Sequence, residues 1–203
     1  MFYEPKDGHG LPHNPFNAII TPRPIAWVST VSKDGVRNLA PYSFFNGTAY
    51  FPPQVMFATT SDKDDQGPGL GKDSLANIRE TGVFCINIVE VAMTDAMNIS
   101  TTGFAKEVDE FERAGLTPVQ CETIDCPRIE GAPAALECVL TDIHQIRGDA
   151  NYVTFGEVTG IHLRDDCMVD GKFDVTTFQP LARMGYRDYS KVEKVFTLAR
   201  PDD

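Results

Sequence analysis

The residues best suited to chemistry lie in one polar stretch, residues 67–74, which reads GPGLGKDS. Its glycines, Lys72, the hydroxyl of Ser74 and a helix predicted to begin there together favour a bound phosphate monoester. The stretch is not a nucleoside-triphosphate loop, because Gln66 and Asp73 stand where that motif needs a glycine and a serine or threonine. The alternative is an ordinary capped helix after a flexible loop.

Other catalytic arrangements find little support. The chain has no GxGxxG on a strand-to-helix turn and no GxSxG nucleophile motif. His144 and His162 lie on predicted strands, where a satisfied or exposed imidazole is the simpler interpretation than a metal ligand. Cys121 and Cys126 are the closest pair among five cysteines, which indicates reduced thiols rather than a zinc site.

A second informative segment runs from Arg23 to Asn46. It places small residues and a proline beside aromatic ones, which suits a flat ring lying close to the backbone with main-chain amides at its edge. The alternative is a β-hairpin with ordinary aromatic packing.

The composition limits the partners. The chain has 203 residues and a formal net charge of −11, with the hydrophobic content of an ordinary globular protein. An acidic chain without a Lys/Arg cluster repels phosphate backbones and anionic lipids, so we expect neither a nucleic-acid nor a membrane partner. Residues 1–15 lack the apolar run of a signal peptide. We therefore expect a single cytoplasmic domain spanning residues 1–203.

The elements that must position these residues are mostly strands. Alternation and β-branched content predict strands at 25–31, 36–42, 55–60, 83–89, 136–146 and 152–163. Asp34-Gly35 predicts a tight turn between the first two strands. In the last strand, one face is predicted to carry Val153, Phe155, Ile161 and Leu163.

The predicted helices are short. The helix that follows Lys72 should end before Gly82, and residues 91–99 form a second one in which Met93 and Met97 would fill the core. Asp109 begins a third with a capping box. Strands in hairpin order with few helices favour a mainly β protein, an antiparallel barrel with helices over its open edges.

Several short motifs occur in an order that resembles the flavin reductase-like family. They are RP at 23–24, WVST at 27–30, DG at 34–35, NLAPYSFFN at 38–46, PP at 52–53, KDSLANI at 72–78, TGVF at 81–84, GEV at 156–158 and FQPLARMGY at 178–186. The resemblance spans about residues 14–190, and its strength lies in the order of the motifs. It implies an FMN-binding split β-barrel, an antiparallel Greek-key barrel that forms a homodimer with the flavin near the subunit interface.

The resemblance also implies which residues hold the cofactor. Ser29 and Thr30 would hold the phosphate or the ribityl chain, and Lys72, Asp73 and Ser74 would complete the phosphate site. The remaining implied contacts, most of them lining the isoalloxazine ring, are Trp27, Asn38, Leu39, Ala40, Pro41, Tyr42 and Ser43.

Near the C-terminus, the resemblance implies that Arg183 and Tyr186 close over the flavin or a nicotinamide, the alternative being plain C-terminal packing. The loop of residues 62–71 is longer than is usual in that family.

The activity that the resemblance implies is NAD(P)H-dependent reduction of FMN. Hydride would pass from NADH or NADPH to flavin N5 when the rings stack, which requires no protein nucleophile or general base. Three alternatives remain open: a flavoprotein that retains FMN and reduces another acceptor, a non-catalytic FMN module for storage or sensing, and a cofactor-free interaction domain. Whether a partner monooxygenase exists is open as well.

Overall fold

The computed structural model describes residues 1–61 and 71–201. The strands are β1 (Arg23–Pro24), β2 (Ala26–Val31), β3 (Arg37–Tyr42), β4 (Phe45–Tyr50), β5 (Pro53–Thr60), β6 (Val83–Ile88), β7 (Pro118–Gln120), β8 (Pro127–Ile129), β9 (Ala134–Gln145), β10 (Asn151–Leu163), β11 (Met168–Val169), β12 (Lys172–Phe173), β13 (Leu181–Arg183) and β14 (Tyr189–Lys191). The α-helices are α1 (Phe16–Ile19), α2 (Asp73–Thr81), α3 (Thr94–Ile99) and α4 (Glu110–Arg113). The glycine-rich residues 67–70 of the predicted phosphate site and most of the long loop 62–71 lie outside the described residues.

The first hairpin forms where Asp34-Gly35 predicts it. The amide of Ser32 donates to the carbonyl of Val36 at 2.9 Å, and Gly35 takes φ +83°, a conformation that glycine adopts without strain. Strands β2 and β3 then pair antiparallel, with Val28 opposite Ala40. The hairpin thereby leaves the aromatic segment of β3 at an edge of the sheet.

Seven strands form one antiparallel sheet in the order β3-β2-β6-β9-β10-β5-β4. Its two edge strands, β3 and β4, are joined by only Ser43 and Phe44, so the sheet must curl until its edges meet. In the described part of the chain no ladder joins β3 to β4, although Ala58 donates to the carbonyl of Phe44 at 2.8 Å. The result is the antiparallel barrel expected from the sequence, split along one seam.

The barrel interior holds one apolar cluster, which consists of Ala26, Val28, Val55, Phe57, Ile78, Phe84, Ile86, Cys138 and Val158. Phe57 packs against Tyr42 at a ring separation of 5.0 Å and against Phe84 at 5.6 Å. Gly156 makes room for this stack, because a Cβ there would lie 2.5 Å from Cζ of Phe84. Ile78 of α2 belongs to the same cluster and so anchors the helix against the barrel.

The inward face of β10 differs from what its apolar pattern suggests. Val153 and Phe155 are half-buried on the outer side, whereas Ile161, which is 59% exposed, and Leu163 follow a β-bulge between Val158 and Gly160. The face turned to the interior carries Tyr152, Thr154, Gly156 and Val158. The pattern misleads because the bulge shifts the alternation, so that Ile161 stands opposite Leu136 of β9 and no longer shares a face with Val153 and Phe155.

A second apolar cluster lies on the other face of β2, between the sheet and the helices. Trp27, Leu39 and Met97 are all fully or almost fully buried there, as the core role predicted for Met97 requires. The segment 91–99 begins with a 3-10 turn, Val91–Met93, before α3. Asp109 caps α4 as predicted, accepting from the amide of Phe111 at 2.9 Å.

Strand β4 is the one long element that the sequence pattern does not predict. Nearly every residue of it is exposed, so it has no buried face to create an alternation. Within the described residues, no helix has the length and apolar character needed to cross a membrane. All five cysteines are buried and form no disulfide; burial raises the pKa of Cys126 and Cys138 well above the usual range.

Candidate functional site

A cleft opens where β3 ends and α2 begins, and it consists of two adjoining cavities. The first, here called the α2 cavity, has a volume of about 190 Å³ and is lined by Asn38, Ala40, Pro41, Tyr42, Lys72, Asp73, residues 100–104 and Glu110. The second, here called the arginine cavity, has a volume of about 320 Å³ and is lined by Asn17, Arg23, residues 41–44, Ala58, Thr60, Lys72, Arg183 and Tyr186. Pro41, Tyr42 and Lys72 belong to both.

Strand β3 supplies one wall of the cleft. Because β3 is an edge strand of the described sheet, its outer edge offers main-chain groups that no strand among residues 1–61 and 71–201 pairs. The amide of Leu39 lies on that edge and donates to Oε2 of Glu110 at 3.2 Å, while Pro41 has no N–H and leaves only its carbonyl. The side chain of Leu39 itself is buried in the second apolar cluster.

The beginning of α2 supplies the opposite wall. Gly71 precedes the helix with φ +78°, and a Cβ there would lie 2.5 Å from Cδ2 of Leu75. Lys72 is the N-cap residue and makes no side-chain capping bond. Lys72 and Asp73 therefore stand at the positive end of the helix dipole, facing the cleft.

Below the cleft, a buried polar network ties β2, β3 and α2 together. Ser74 is 1% exposed, and its Oγ accepts from Nδ2 of Asn38 at 2.8 Å and from the phenol of Tyr42 at 3.0 Å. Thr30 Oγ1 accepts from Asn38 at 3.3 Å and from Asn77 at 3.0 Å. Burial raises the pKa of Tyr42 well above its usual range, so the phenol remains a donor.

Trp27 and Ser29 do not line the cleft. The indole of Trp27 is fully buried and donates to Oγ of Ser100 at 2.9 Å. Ser29 donates to the carbonyl of Pro127 at 2.6 Å and accepts from Asn87 at 3.1 Å. The structure therefore brings together the implied residues of β3 and α2 and, beneath them, Thr30, while these two side chains lie on the other face of β2.

Arg183 and Tyr186 line the arginine cavity, and Tyr186 stays 50% exposed. The guanidinium of Arg183 donates to the carbonyl of Tyr186 and lies over the ring of Tyr189 at 4.5 Å.

The structure adds residues that the sequence does not single out as ligands, chiefly Arg23 and the loop of residues 100–104. In the sequence, Arg23 stands out only as part of the RP motif.

Glu137 on β9 is a buried charged residue that does not line the cleft. It lies against the loop that contains Glu122 and Thr123. Its Oε1 accepts from the amide of Glu122 at 2.7 Å and contacts Nε2 of His162 at 2.5 Å. Its Oε2 accepts from the amide and the hydroxyl of Thr123, both at 2.6 Å. Burial alone would raise the pKa of Glu137, but the hydrogen bonds from Thr123, His162 and Glu122 outweigh it and lower the pKa to about 2.

Comparison with known proteins agrees with this fold. Residues 19–180 match the model of the flavin reductase like domain, so the chain belongs to that family. Among solved structures, nitrilotriacetate monooxygenase component B from Bacillus cereus is 28% identical, with a TM-score of 0.83 over 94% of this chain and 100% of that one.

Two further structures are similar. The 2-nitrobenzoate 2-nitroreductase NbaA of Pseudomonas fluorescens is 31% identical, with a TM-score of 0.79 over 92% of this chain and 88% of that one. A protein with a split barrel domain from Shewanella frigidimarina is 19% identical, with a TM-score of 0.78 over 91% of this chain and 89% of that one. The last likeness concerns the fold alone, and it agrees with the split seam between β3 and β4.

Proposed function

We propose that this protein binds FMN in the cleft and reduces it with NADH or NADPH, as an NAD(P)H:FMN oxidoreductase. The observation that carries the proposal is the cleft itself, in which the proline and tyrosine of β3 face the start of α2 and Lys72 lines both cavities. Membership of the flavin reductase like family supports a flavin-dependent oxidoreductase.

The residues present fit a planar ring that ends in a phosphate. Pro41 and Tyr42 offer flat apolar surface, and the outer edge of β3 offers main-chain groups for the polar edge of a ring. The first turn of α2, with Lys72 beside it, offers N–H groups and a positive charge for a phosphate. Gly71 is suited to its position because a side chain there would clash with Leu75.

The protein's part in the reaction is to bind, orient and exclude water. FMN, when bound, supplies the hydride-accepting chemistry. Tyr42 and Asn38 fix the start of α2 through Ser74, so the phosphate end of the cleft is held in place before any ligand binds. Tyr186, at the open end of the arginine cavity, is placed to limit access of water to the reacting face.

An anaerobic titration tests the proposal. FMN is added to the purified protein, followed by NADH or, in a parallel sample, NADPH, while the visible flavin absorption is recorded. We expect a spectral shift on binding and loss of the absorption band with the physiological donor. Bound flavin that neither donor bleaches would favour the storage or sensing alternative, and no spectral change on adding FMN would contradict the cofactor assignment.

The phosphate site is tested by Lys72→Gln. Loss of this charge should weaken FMN binding about tenfold or more, while binding of riboflavin, which lacks the phosphate, should change little. Lys33→Gln is the matched control, because Lys33 is exposed in the β2–β3 turn. An equal loss of FMN and riboflavin binding in Lys72→Gln would contradict a phosphate contact.

A second candidate is a flavoprotein that retains FMN and reduces another acceptor. The arginine cavity, which adjoins the α2 cavity, favours it because it offers room for a second molecule. The similar protein NbaA is a 2-nitrobenzoate 2-nitroreductase, an activity of this kind. Flavin that stays with the protein through gel filtration during turnover would support this candidate over a released FMN.

We further propose a cytoplasmic homodimer, because a reduced nicotinamide donor is an intracellular metabolite and several apolar side chains of β9 and β10 are exposed. Val139, Ile161 and Leu163 are each at least 39% exposed there. Sedimentation of the wild type and of Ile161→Asp would test the dimer, which the substitution should dissociate. The similarity to a monooxygenase component B supports a partner monooxygenase that consumes the reduced flavin.

A further inference from the structure

Two arginines face each other across strands at the mouth of the arginine cavity. In the antiparallel pair of β1 and β13, Arg23 stands directly opposite Arg183, and both side chains line the cavity. Like charges at directly opposed positions destabilise a strand pair. Burial and the charge of Arg183 accordingly lower the pKa of Arg23.

Arg23 is 6% exposed, and uncharged groups, mainly backbone carbonyls, hold its side chain. Its guanidinium donates to the carbonyl of Asn17 at 2.6 Å, of Ile20 at 2.5 Å and of Met184 at 2.9 Å. Its Nε donates to Oγ of Ser43 at 3.3 Å. No carboxylate of the described residues forms an ion pair with it, so the positive charge is oriented but not neutralised.

Arg183 is oriented in the same way but keeps most of its donors. Of its five N–H groups, the bonds in the described part of the chain account for one, to the carbonyl of Tyr186. The ring of Tyr189 supports the flat face of the guanidinium. Neither contact supplies a negative charge.

The rest of the cavity lining is also positively charged or uncharged. Lys72 adds a third cation, and Ser43 and Thr60 add hydroxyl groups. The lining within the described residues includes no Asp or Glu, although the chain contains 29 acidic residues against 18 Lys and Arg. The adjoining α2 cavity differs, since Asp73 and Glu110 line it.

We propose that the arginine cavity binds an oxyanion, a carboxylate or a phosphate, carried by the molecule that exchanges electrons with the flavin; this inference rests on the proposed function. Arg183 is the direct contact, because a guanidinium binds a planar oxyanion through two parallel N–H bonds. Arg23 is a positioning residue that holds residues 17–20 and 184 around the cavity. The two sources of such an anion are an acidic acceptor and the phosphate of a nicotinamide nucleotide.

The test measures binding rather than turnover. FMN-loaded protein is titrated with benzoate and, in a second arm, with nicotinamide mononucleotide, and the flavin difference spectrum is followed. Benzamide and nicotinamide riboside are the counterparts that lack the carboxylate or the phosphate. Arg183→Gln should weaken binding of at least one anionic ligand about tenfold and leave the counterpart without the anionic group unchanged. The arm that responds identifies the source of the anion.

Arg187→Gln is the matched control. Arg187 is exposed in the loop that follows β13, and its substitution removes the same positive charge. Arg183→Lys should keep part of the affinity, since it retains the charge without the two-pronged geometry. Equal affinities of the wild type and Arg183→Gln for both anionic ligands would overturn the proposal. So would a selective loss of FMN over riboflavin binding in Arg183→Gln, which would assign the pair to the cofactor's own phosphate.

A flavin-independent readout separates this inference from the proposed function. The Nε–H signal of Arg183 in ¹⁵N-labelled protein without FMN should shift on adding benzoate or nicotinamide mononucleotide, and the signal of Arg187 should not. If FMN fails to bind but the Arg183 signal still titrates, the proposed function fails and the anion site stands. If neither anion moves the signal while FMN binds, the anion site fails alone.

Discussion

Glu137 and Arg183 are both charged groups held in a fixed orientation, yet their surroundings differ in kind. Both oxygens of Glu137 are held by short contacts, with hydrogen bonds from Glu122 and Thr123 and a contact with His162. Arg183, in contrast, uses one of its donors and points the rest into a cavity. A buried charge whose hydrogen-bonding groups are all used within the protein stabilises the fold. A fixed charge with unused donors is suited to binding a ligand.

The difference follows from where the two groups stand in the fold. Glu137 lies within the long strand β9, beside a bulge of β10 near Gly160, and a Cβ at Gly160 would lie 3.1 Å from its carboxyl carbon. The loop at 122–123 folds its amides onto this carboxylate. Arg183 lies at the last position of β13, where the strand stops and the backbone no longer surrounds the side chain.

The largest effect should come from Glu137→Gln. The amide nitrogen would place a donor among donors from Glu122 and Thr123, so we expect the free energy of unfolding to fall by about 3–5 kcal/mol. Urea unfolding measures the loss, with the exposed Glu130→Gln as a control that should change little. Flavin affinity of the folded fraction should stay near the wild-type value. If Glu137→Gln were as stable as the wild type, the hydrogen bonds around Glu137 would not be what stabilises the fold, and the contrast with Arg183 would fail.

The pH dependence of stability should show the same carboxylate. The pKa of Glu137 is about 2 in the folded chain and near 4.5 when unfolded, so its contribution is complete above pH 4.5 and is lost as the pH falls through about 2. The total loss is about 3 kcal/mol. Urea midpoints at about pH 6 and about pH 3 should differ more in the wild type than in Glu137→Gln. Equal acid sensitivity would assign the loss to other carboxylates.

The smallest stability effect, and the one that sharpens the comparison, is expected from Ser74→Ala. It leaves the donors of Asn38 and Tyr42 without their shared acceptor and should cost about 1–2 kcal/mol. Because these residues fix the start of α2, FMN affinity should fall about fivefold. Ser190→Ala, at an exposed position of β14, is the control. A loss of stability without loss of FMN binding would show that this network is purely structural.

Much of this arrangement is readable from the sequence because local rules determine it. The Asp34-Gly35 turn, the end of α2 at Gly82 and the Asp109 cap depend on neighbouring residues only, and all are found in the structure. The order of motifs around Lys72 and Pro41 likewise indicates one cleft, and these residues do line it.

Other features depend on residues far apart in the chain, and no local pattern reveals them. Arg23 and Arg183 become neighbours only through the register of β1 and β13. Strand β4 lacks a buried face, and β10 turns Thr154 and Gly156 inward because the barrel interior is already filled by Phe57 and Phe84. In each of these cases the closure of the sheet decides the outcome, and closure is a property of the whole sheet.

The seam between β3 and β4 affects which parts of the sheet open locally. Only Ser43 and Phe44 join these strands. Moving the strands apart therefore disturbs the packing of Tyr42 against Phe57 but breaks no ladder between strands that the structure describes. Strands β6 and β9, in the middle of the sheet, are bonded on both sides. Amide protons along the seam should therefore exchange with solvent through small openings, whereas those of β6 and β9 should wait for global unfolding.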